Sequence, residues 1–95
     1  MKFLLDKGIS QEVIDKLRIK YDESILDIVD LEEGNVVEVI DYLKSIGVKD
    51  IETLLIYNIS IFTTEVDEIK AAFEKQNIPA FVDEINDDIT IIDML

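Results

Sequence analysis

The chain has 95 residues, 48% of them hydrophobic, which allows one modest core but not two domains with a catalytic cleft between them. It contains no Cys and no His, which excludes disulfides, thiolate chemistry, cysteine zinc sites and the commonest general base. We expect no signal peptide at the N-terminus, where an acid follows a short apolar run, and no stretch approaches the roughly 18 apolar residues of a membrane span. We therefore expect one domain over 1–95, located in the cytoplasm, with no membrane contact and no cofactor.

The charge of the chain is strongly and unevenly acidic. Nine basic residues stand against 22 acidic ones, which gives a formal net charge of -13. Residues 1–20 hold five of the bases and only three of the acids, so nearly all the negative charge lies in the remainder. Such a surface repels phosphate, whereas duplex DNA requires clustered Lys and Arg. We expect no nucleic-acid binding. The acids either keep an Ile-rich chain in solution or form a negative surface for a basic partner.

Three triplets mark points where one helix is expected to end and another to begin. They are Gly8-Ile9-Ser10, Gly47-Val48-Lys49 and Asn77-Ile78-Pro79. Gly or Asn accepts the left-handed backbone that ends a helix, and a capping residue or Pro suits the start of the next one. The first two triplets lie 39 residues apart and the second and third lie 30 apart. Periods of this size are typical of helical repeats.

The first half of the chain predicts four helices. They cover 2–7, 11–21 with Ser10 as the N-cap, 23–31, and a segment that Asn35 caps and Gly47 ends. A break is expected at Glu33-Gly34-Asn35. The expected inward residues of the third helix are Ile25, Ile28 and Val29, and those of the fourth are Val36, Val39, Ile40, Leu43 and Ile46.

The second half predicts four more helical segments around one connection. Asp50 opens the fifth helix, residues 57–62 form the connection, and Thr64 caps a helix over 65–76 with Asp67 in the capping-box position. Pro79 starts another helix, and one or two further turns follow over 87–94. The expected inward residues are Ile51, Leu54, Leu55, Val66, Ile69, Phe73, Phe81, Val82, Ile85, Ile89, Ile92 and Leu95.

An α+β fold is the alternative architecture. Residues 25–30 and 54–62 are rich in β-branched side chains, and 26–41 can be drawn as a hairpin around Gly34. We favour an all-α fold of short antiparallel helices stacked as a small repeat-like bundle, because residues 36–47 exceed strand length and have a helix cap at each end. Strands would also place adjacent apolar residues on opposite sheet faces, which a small domain cannot cover.

A family resemblance appears over Val36 to Phe62. An apolar helix carries Tyr42-Leu43 and ends at Ile46-Gly47, a second helix carries Ile51 and the pair Leu54-Leu55, and Asn58 to Phe62 forms a short turn. In these features the segment resembles a repeat of the mitochondrial transcription termination factor family, and Gly8 to Leu26 resembles a weaker copy. The resemblance implies a short α-helical, repeat-like architecture.

The departures from that family concern function. Ile59 stands where the family usually has Pro, the basic residues that such proteins present to nucleic acid are missing, and the family's arrays are considerably longer. We therefore take the architecture from the resemblance and not the nucleic-acid function.

Two acidic groups are the densest candidate sites for chemistry. They are Asp83, Glu84, Asp87 and Asp88, and Asp27, Asp30, Glu32 and Glu33. Neither group has the alternating ligands and central Gly of an EF-hand loop. Solvated helix ends explain these acids better than a metal site does. We expect the protein to have no enzymatic activity.

Two hypotheses of function follow. The first is a non-enzymatic module that binds a protein partner, or itself, through an apolar helical face. The second is an acidic decoy that imitates nucleic acid and binds a basic protein. We favour the first because lysines interrupt the acids of 36–76. Tyr57, Ile61 and Phe62 are the candidate contact residues, since their connection is more apolar than a solvated loop needs. The alternative is that they close the core.

Overall fold

The computed structural model describes residues 1–95 and contains helices but no strands, which confirms the all-α class. The β-branched segments are helical because each buries one side of a helix: in the fourth helix, Val36, Val39, Ile40 and Leu43 are all buried at helical spacing. The elements in chain order are α1 Lys2–Asp6, α2 Gln11–Lys20, α3 Glu23–Leu31, α4 Glu33–Ser45, α5 Ile51–Tyr57, α6 Ser60–Thr63, α7 Val66–Glu74, α8 Ile78–Asp87 and a final 3₁₀ helix, Ile89–Met94.

The core is one cluster of 24 buried residues, all of them hydrophobic. The predicted inward residues of α5 and α8 lie within it, as do those of α4 except Ile46, which is partly buried against the cluster. The prediction is wrong in α3, where Leu26 and Val29 are buried while Ile28 remains 46% exposed. Leu26 and Val29 are three residues apart and share the packed side of this helix, so Ile28 lies outside it.

Two of the three predicted helix ends have the expected geometry. Gly8 and Gly47 have φ values of 86° and 100°, in the left-handed region that glycine tolerates. The N–H of Ile9 donates to the Leu4 carbonyl and that of Val48 to the Leu43 carbonyl, both at 3.0 Å. Together with the glycine N–H bonds to Leu5 and Lys44, these form Schellman motifs in which two buried apolar residues close each turn.

The third predicted end differs. Asn77 has φ of -75° and is not left-handed. Its side chain instead accepts from the N–H of Ala80 at 3.3 Å, so Asn77 is the N-cap of α8, with Pro79 in the first turn. The predicted caps at Ser10 and Asp50 are confirmed, since they accept from Val13 N–H at 3.3 Å and Thr53 N–H at 3.0 Å.

The break before α4 lies at Glu32, one residue before the predicted Glu33-Gly34-Asn35, and the predicted caps of α4 at Asn35 and of α7 at Thr64 are wrong. Gly34 and Asn35 lie inside the first turn of α4. The Asn35 amide reaches the junction of α6 and α7, where it donates to Thr64 O at 2.7 Å and accepts from Val66 N–H at 3.0 Å. Thr64 does not cap α7, because its hydroxyl donates back to Ser60 O at 2.9 Å. A distant side chain has taken the capping role that Thr64 was expected to fill.

The longest helix, α4, packs against α3, α5, α6 and α7. Helix α2 packs on α3 and α5, α3 also packs on α6, and the 3₁₀ helix packs on α5 and α8. The molecule measures 35 × 24 × 22 Å. None of the helices combines the length and apolar character that crossing a bilayer requires.

Candidate functional site

An apolar groove of about 510 Å³ lies between α3 and the α5–α6 segment. We call it the α3–α6 groove. Five of its nine lining residues are hydrophobic, and two of these, Ile25 and Ile28, come from α3. The lining residues are Lys20, Tyr21, Ile25, Ile28, Tyr57, Asn58, Ile59, Ser60 and Thr63.

The end of α2 holds one wall of the groove in place. The Tyr21 hydroxyl donates to Ile56 O at 2.8 Å and accepts from Ile59 N–H at 3.4 Å. The Lys20 ammonium donates to the same Ile56 carbonyl at 2.6 Å. A cation at the last carbonyls of a helix also interacts favourably with the helix dipole. These bonds fix the turn between α5 and α6 against α2, so this wall is formed before any ligand arrives.

Tyr57 is held from the opposite direction. Its ring lines the groove, while its hydroxyl donates to the Asp93 carboxylate on the 3₁₀ helix. This hydrogen bond, together with partial desolvation and the negative charges of Asp93 and Asp88, raises the pKa of Tyr57 above its ordinary value. The geometric consequence is that the bond to Asp93 ties Tyr57, at the end of α5, to the 3₁₀ helix.

The predicted contact residues do not form one surface. Residues 57–62 are not a loop: α5 continues to Tyr57, and α6 directs Ile61 and Phe62 inward, leaving them 8% and 0% exposed. Only Tyr57 lines the α3–α6 groove. The apolar excess of this segment therefore belongs to the core.

Sequence reasoning missed the α3 side of the groove. Ile25 and Ile28 line it, and neighbouring Leu31 is 84% exposed. A signal was present, because α3 carries five large apolar side chains in nine residues. A short helix that packs one face on a core cannot bury all five of these side chains, so the remaining ones lie on the surface.

A second concavity of about 570 Å³ is larger but mostly polar. It lies between α4 and α7, where the Lys70 ammonium stands 5.7 Å from the centre of the Tyr42 ring. Burial and the charge of Glu74 raise the pKa of Tyr42. The carboxylates that line this second concavity come from Glu38, Asp41 and Asp67. With two hydrophobic residues in its lining, it offers little apolar surface for a partner.

In each of the two acidic groups identified in the sequence, one carboxylate makes a contact that stabilises the fold. Asp88 caps the 3₁₀ helix by accepting from the Thr90 N–H at 3.0 Å and the Thr90 hydroxyl at 2.6 Å, which lowers the pKa of Asp88. Asp30 pairs with the α-amino group of Met1 at 2.7 Å. No three carboxylates converge to a position that could hold a metal ion.

The chemistry available in the α3–α6 groove is therefore apolar contact. Its one ammonium group and both tyrosine hydroxyls are already hydrogen-bonded within the protein. What remains open is the apolar surface of Ile25, Ile28 and Tyr57, together with the Asn58 side-chain NH2, whose amide oxygen alone is bonded, to the Ser60 hydroxyl. Comparison with protein-family models, with curated proteins and with solved structures gives no match for this chain.

Proposed function

We propose that the protein is a non-enzymatic module that binds another protein by accepting apolar side chains in the α3–α6 groove. The observation that carries this proposal is the exposure of Ile28 and Leu31, at 46% and 84%, beside a formed apolar groove. The fold does not need these side chains, since its core of 24 residues is complete without them. Adjacent exposed apolar residues at a concave surface are typical of a protein-interaction site.

The rigidity of the groove supports the same proposal. Its walls are fixed by the Tyr21 and Lys20 bonds to α5 and by the Tyr57 bond to the 3₁₀ helix. A site that is ordered before binding loses less conformational entropy when a partner arrives. The groove is thus suited to a partner segment that supplies the shape-complementary side chains.

We also propose that the helices form three stacked units, α1–α3, α4–α6, and α7 with α8 and the 3₁₀ helix. Three pairings support this: α2 packs on α5, α3 on α6 and α4 on α7. The matching Schellman turns at Gly8 and Gly47 support it further. In such a stack the groove lies between the third helices of neighbouring units. The family resemblance implies a short α-helical, repeat-like architecture, with which three stacked units are compatible. A cytoplasmic location stays a prediction.

The test is affinity capture from extracts of the native host with the wild-type chain and with Ile28→Lys. The lysine places a charge at the groove, and because Ile28 is already half-exposed the fold should tolerate it. Leu5→Lys is the matched control, since Leu5 is 42% exposed on α1 and outside the groove. We expect one or more proteins retained by the wild type and by Leu5→Lys to be lost with Ile28→Lys, at unchanged melting temperature.

The same experiment addresses the decoy alternative. An acidic surface that imitates nucleic acid would capture basic proteins through charge alone. Such capture would be equal for all three chains and would disappear near 1 M salt, where the Debye length is about 3 Å. That outcome would refute the groove as the binding site.

A further inference from the structure

We infer that the partner segment is a basic amphipathic helix, which lays its apolar side along α3 and into the α3–α6 groove. This inference rests on the proposed function and specifies the partner's chemistry. It is carried by two observations that coincide in space: an apolar ridge on α3 and a surrounding run of six exposed carboxylates, five of which have no ion-pair partner.

The ridge consists of Ile25, Ile28 and Leu31, at every third position of α3. Residues three apart are neighbours on a helix surface, and a rise of about 1.5 Å per residue makes this ridge about 9 Å long. Side chains at i, i+3 or i+4 and i+7 of a partner helix span about 10 Å. The ridge therefore matches about two turns of a helix. Ile25 and Ile28 continue it into the groove.

The carboxylates are concentrated around the same helix. Residues 21–43 contain eight acids and no Lys or Arg. Six of the acids lie within or beside α3, and only Asp30 among them has an ion-pair partner, the α-amino group of Met1. All six are exposed: Asp22, Glu23, Asp27, Asp30, Glu32 and Glu33. An apolar ridge bordered by unpaired negative charge is complementary to a helix with an apolar stripe and Lys or Arg on its flanks.

Charge also argues against a second copy of this chain as the occupant. Two copies would each bring a net charge of -13. The most basic helix, α2, has its apolar residues Val13, Ile14 and Leu17 buried in the core. Its one exposed large apolar residue is Ile19, which is too little to cover a 9 Å ridge.

The test uses synthetic peptides and fluorescence anisotropy near 0.15 M salt. The probe is a labelled 18-residue peptide of Leu and Lys with leucines at i, i+3, i+4 and i+7. One comparison peptide replaces Lys by Glu in the same pattern, and another keeps the Leu and Lys composition in an order without an apolar side. We expect the amphipathic Leu/Lys peptide to bind at least tenfold more tightly than either comparison peptide.

Matched variants locate the binding. Ile28→Ser and Leu31→Ser should each weaken the Leu/Lys peptide about tenfold, because each removes apolar surface buried in the complex. Leu5→Ser and Ile19→Ser are the controls, with similar exposures of 42% and 87%, and should change affinity less than twofold. The pair Asp27→Asn with Glu32→Gln should weaken binding several-fold at low salt, and this difference should vanish near 1 M salt.

Four results would overturn the inference. Equal binding of the peptide without an apolar side would mean that charge alone attracts it, and equal binding of the Leu/Glu peptide would mean that the carboxylates play no part. If the Leu/Lys peptide does not bind, or binds equally to the wild type, Ile28→Ser and Leu31→Ser, a basic helix as the partner is refuted. A dimer in sedimentation equilibrium that Ile28→Ser dissociates would make the ridge a contact between copies.

The failures of the two proposals are distinguishable. If a native protein is captured in an Ile28-dependent manner but the Leu/Lys peptide does not bind, the basic helix is refuted and the groove's function stands. If capture is also insensitive to Ile28→Lys, both are refuted.

Discussion

The side chain of Asn35, which is half-buried in the first turn of α4, joins two parts of the fold, and its removal should destabilise the protein. Asn35 lies in the first turn of α4, yet its amide bonds to the backbone at the junction of α6 and α7. The residue at the N-cap position of α7, Glu65, makes no side-chain cap bond. Asn35 therefore supplies the cap of a helix 31 residues further along the chain.

The cost of Asn35→Ala can be worked out from these two bonds. Loss of an N-cap acceptor costs about 0.5–2 kcal/mol, and loss of the 2.7 Å bond to Thr64 O costs about 0.5–1.5 kcal/mol. Alanine is the better helix former by roughly half a kcal/mol, which offsets part of this within α4. We expect a net loss of about 2 kcal/mol. At about 4–8 °C per kcal/mol for a domain of this size, the melting temperature should fall by roughly 8–16 °C.

Urea unfolding followed by circular dichroism measures this loss. Glu38→Ala is the matched control, because Glu38 is exposed one turn further along α4 and has no side-chain hydrogen bond; it should stay within about 0.5 kcal/mol of the wild type. Asn35→Asp keeps the acceptor for Val66 N–H and loses the donor to Thr64 O, so its stability should lie between those of the wild type and Asn35→Ala. If Asn35→Ala and Glu38→Ala were equally stable, the capping argument would be refuted.

Four further predictions follow from the structure. Leu43→Ala, Leu54→Ala and Phe73→Ala should each cost about 2–5 kcal/mol in urea unfolding, because all three side chains are 0% exposed; a neutral change would remove that residue from the core. Raising sodium chloride from low to moderate concentration should raise the melting temperature, since only three ion pairs offset 22 acids. Gel-shift assays near 0.15 M salt should show no binding of duplex DNA or RNA, and a clear shift would refute the argument from the acidic surface. The Tyr57 bond to Asp93 should stabilise the fold fully below the ordinary phenol pKa of about 10, and this stabilisation should disappear as pH rises through the raised pKa of Tyr57. The melting temperature of Tyr57→Phe should therefore fall less at alkaline pH than that of the wild type.

Sequence patterns located helix ends where the determining hydrogen bonds are local. The Schellman turns at Gly8 and Gly47 and the caps at Ser10 and Asp50 each involve atoms within five residues. Such bonds depend on residue types that are adjacent in sequence, and the prediction needs no knowledge of the fold.

The predictions failed where a distant contact overrides local preference. Gly34 costs about 1 kcal/mol inside a helix relative to Ala, and a Gly-Asn pair typically marks a break. Helix α4 begins at Glu33 and includes both residues, because Asn35 gains two bonds to the α6–α7 junction and the next residue, Val36, is fully buried. The missing cap at Thr64 has the same cause.

The site was harder to predict than the fold because it depends on which apolar residues the core leaves out. The pattern of α3 allows either Ile28 or Leu26 to accompany Val29 inward, and only the neighbours α2, α4 and α6 decide between them. The prediction assigned Ile28 to the core and thereby lost the ridge. Conversely, it named Ile61 and Phe62 as candidate contact residues while leaving open that they close the core, and the structure buries both of them.

Polar side chains from distant helices also fix the directions in which the helices leave their turns. Glu52 accepts from the N–H of Ser10 at 3.0 Å, and Asn86 accepts from the N–H of Lys49 and donates to Gly47 O, both at 3.0 Å. These partners lie 37 to 42 residues apart in sequence, so no local pattern indicates them. Each bond joins the backbone just after a glycine turn to the side chain of a later helix, which resists rotation of α2 and α5 about those turns. Because the end of α2 and the α5–α6 segment form one wall of the α3–α6 groove, the same bonds keep that wall in place.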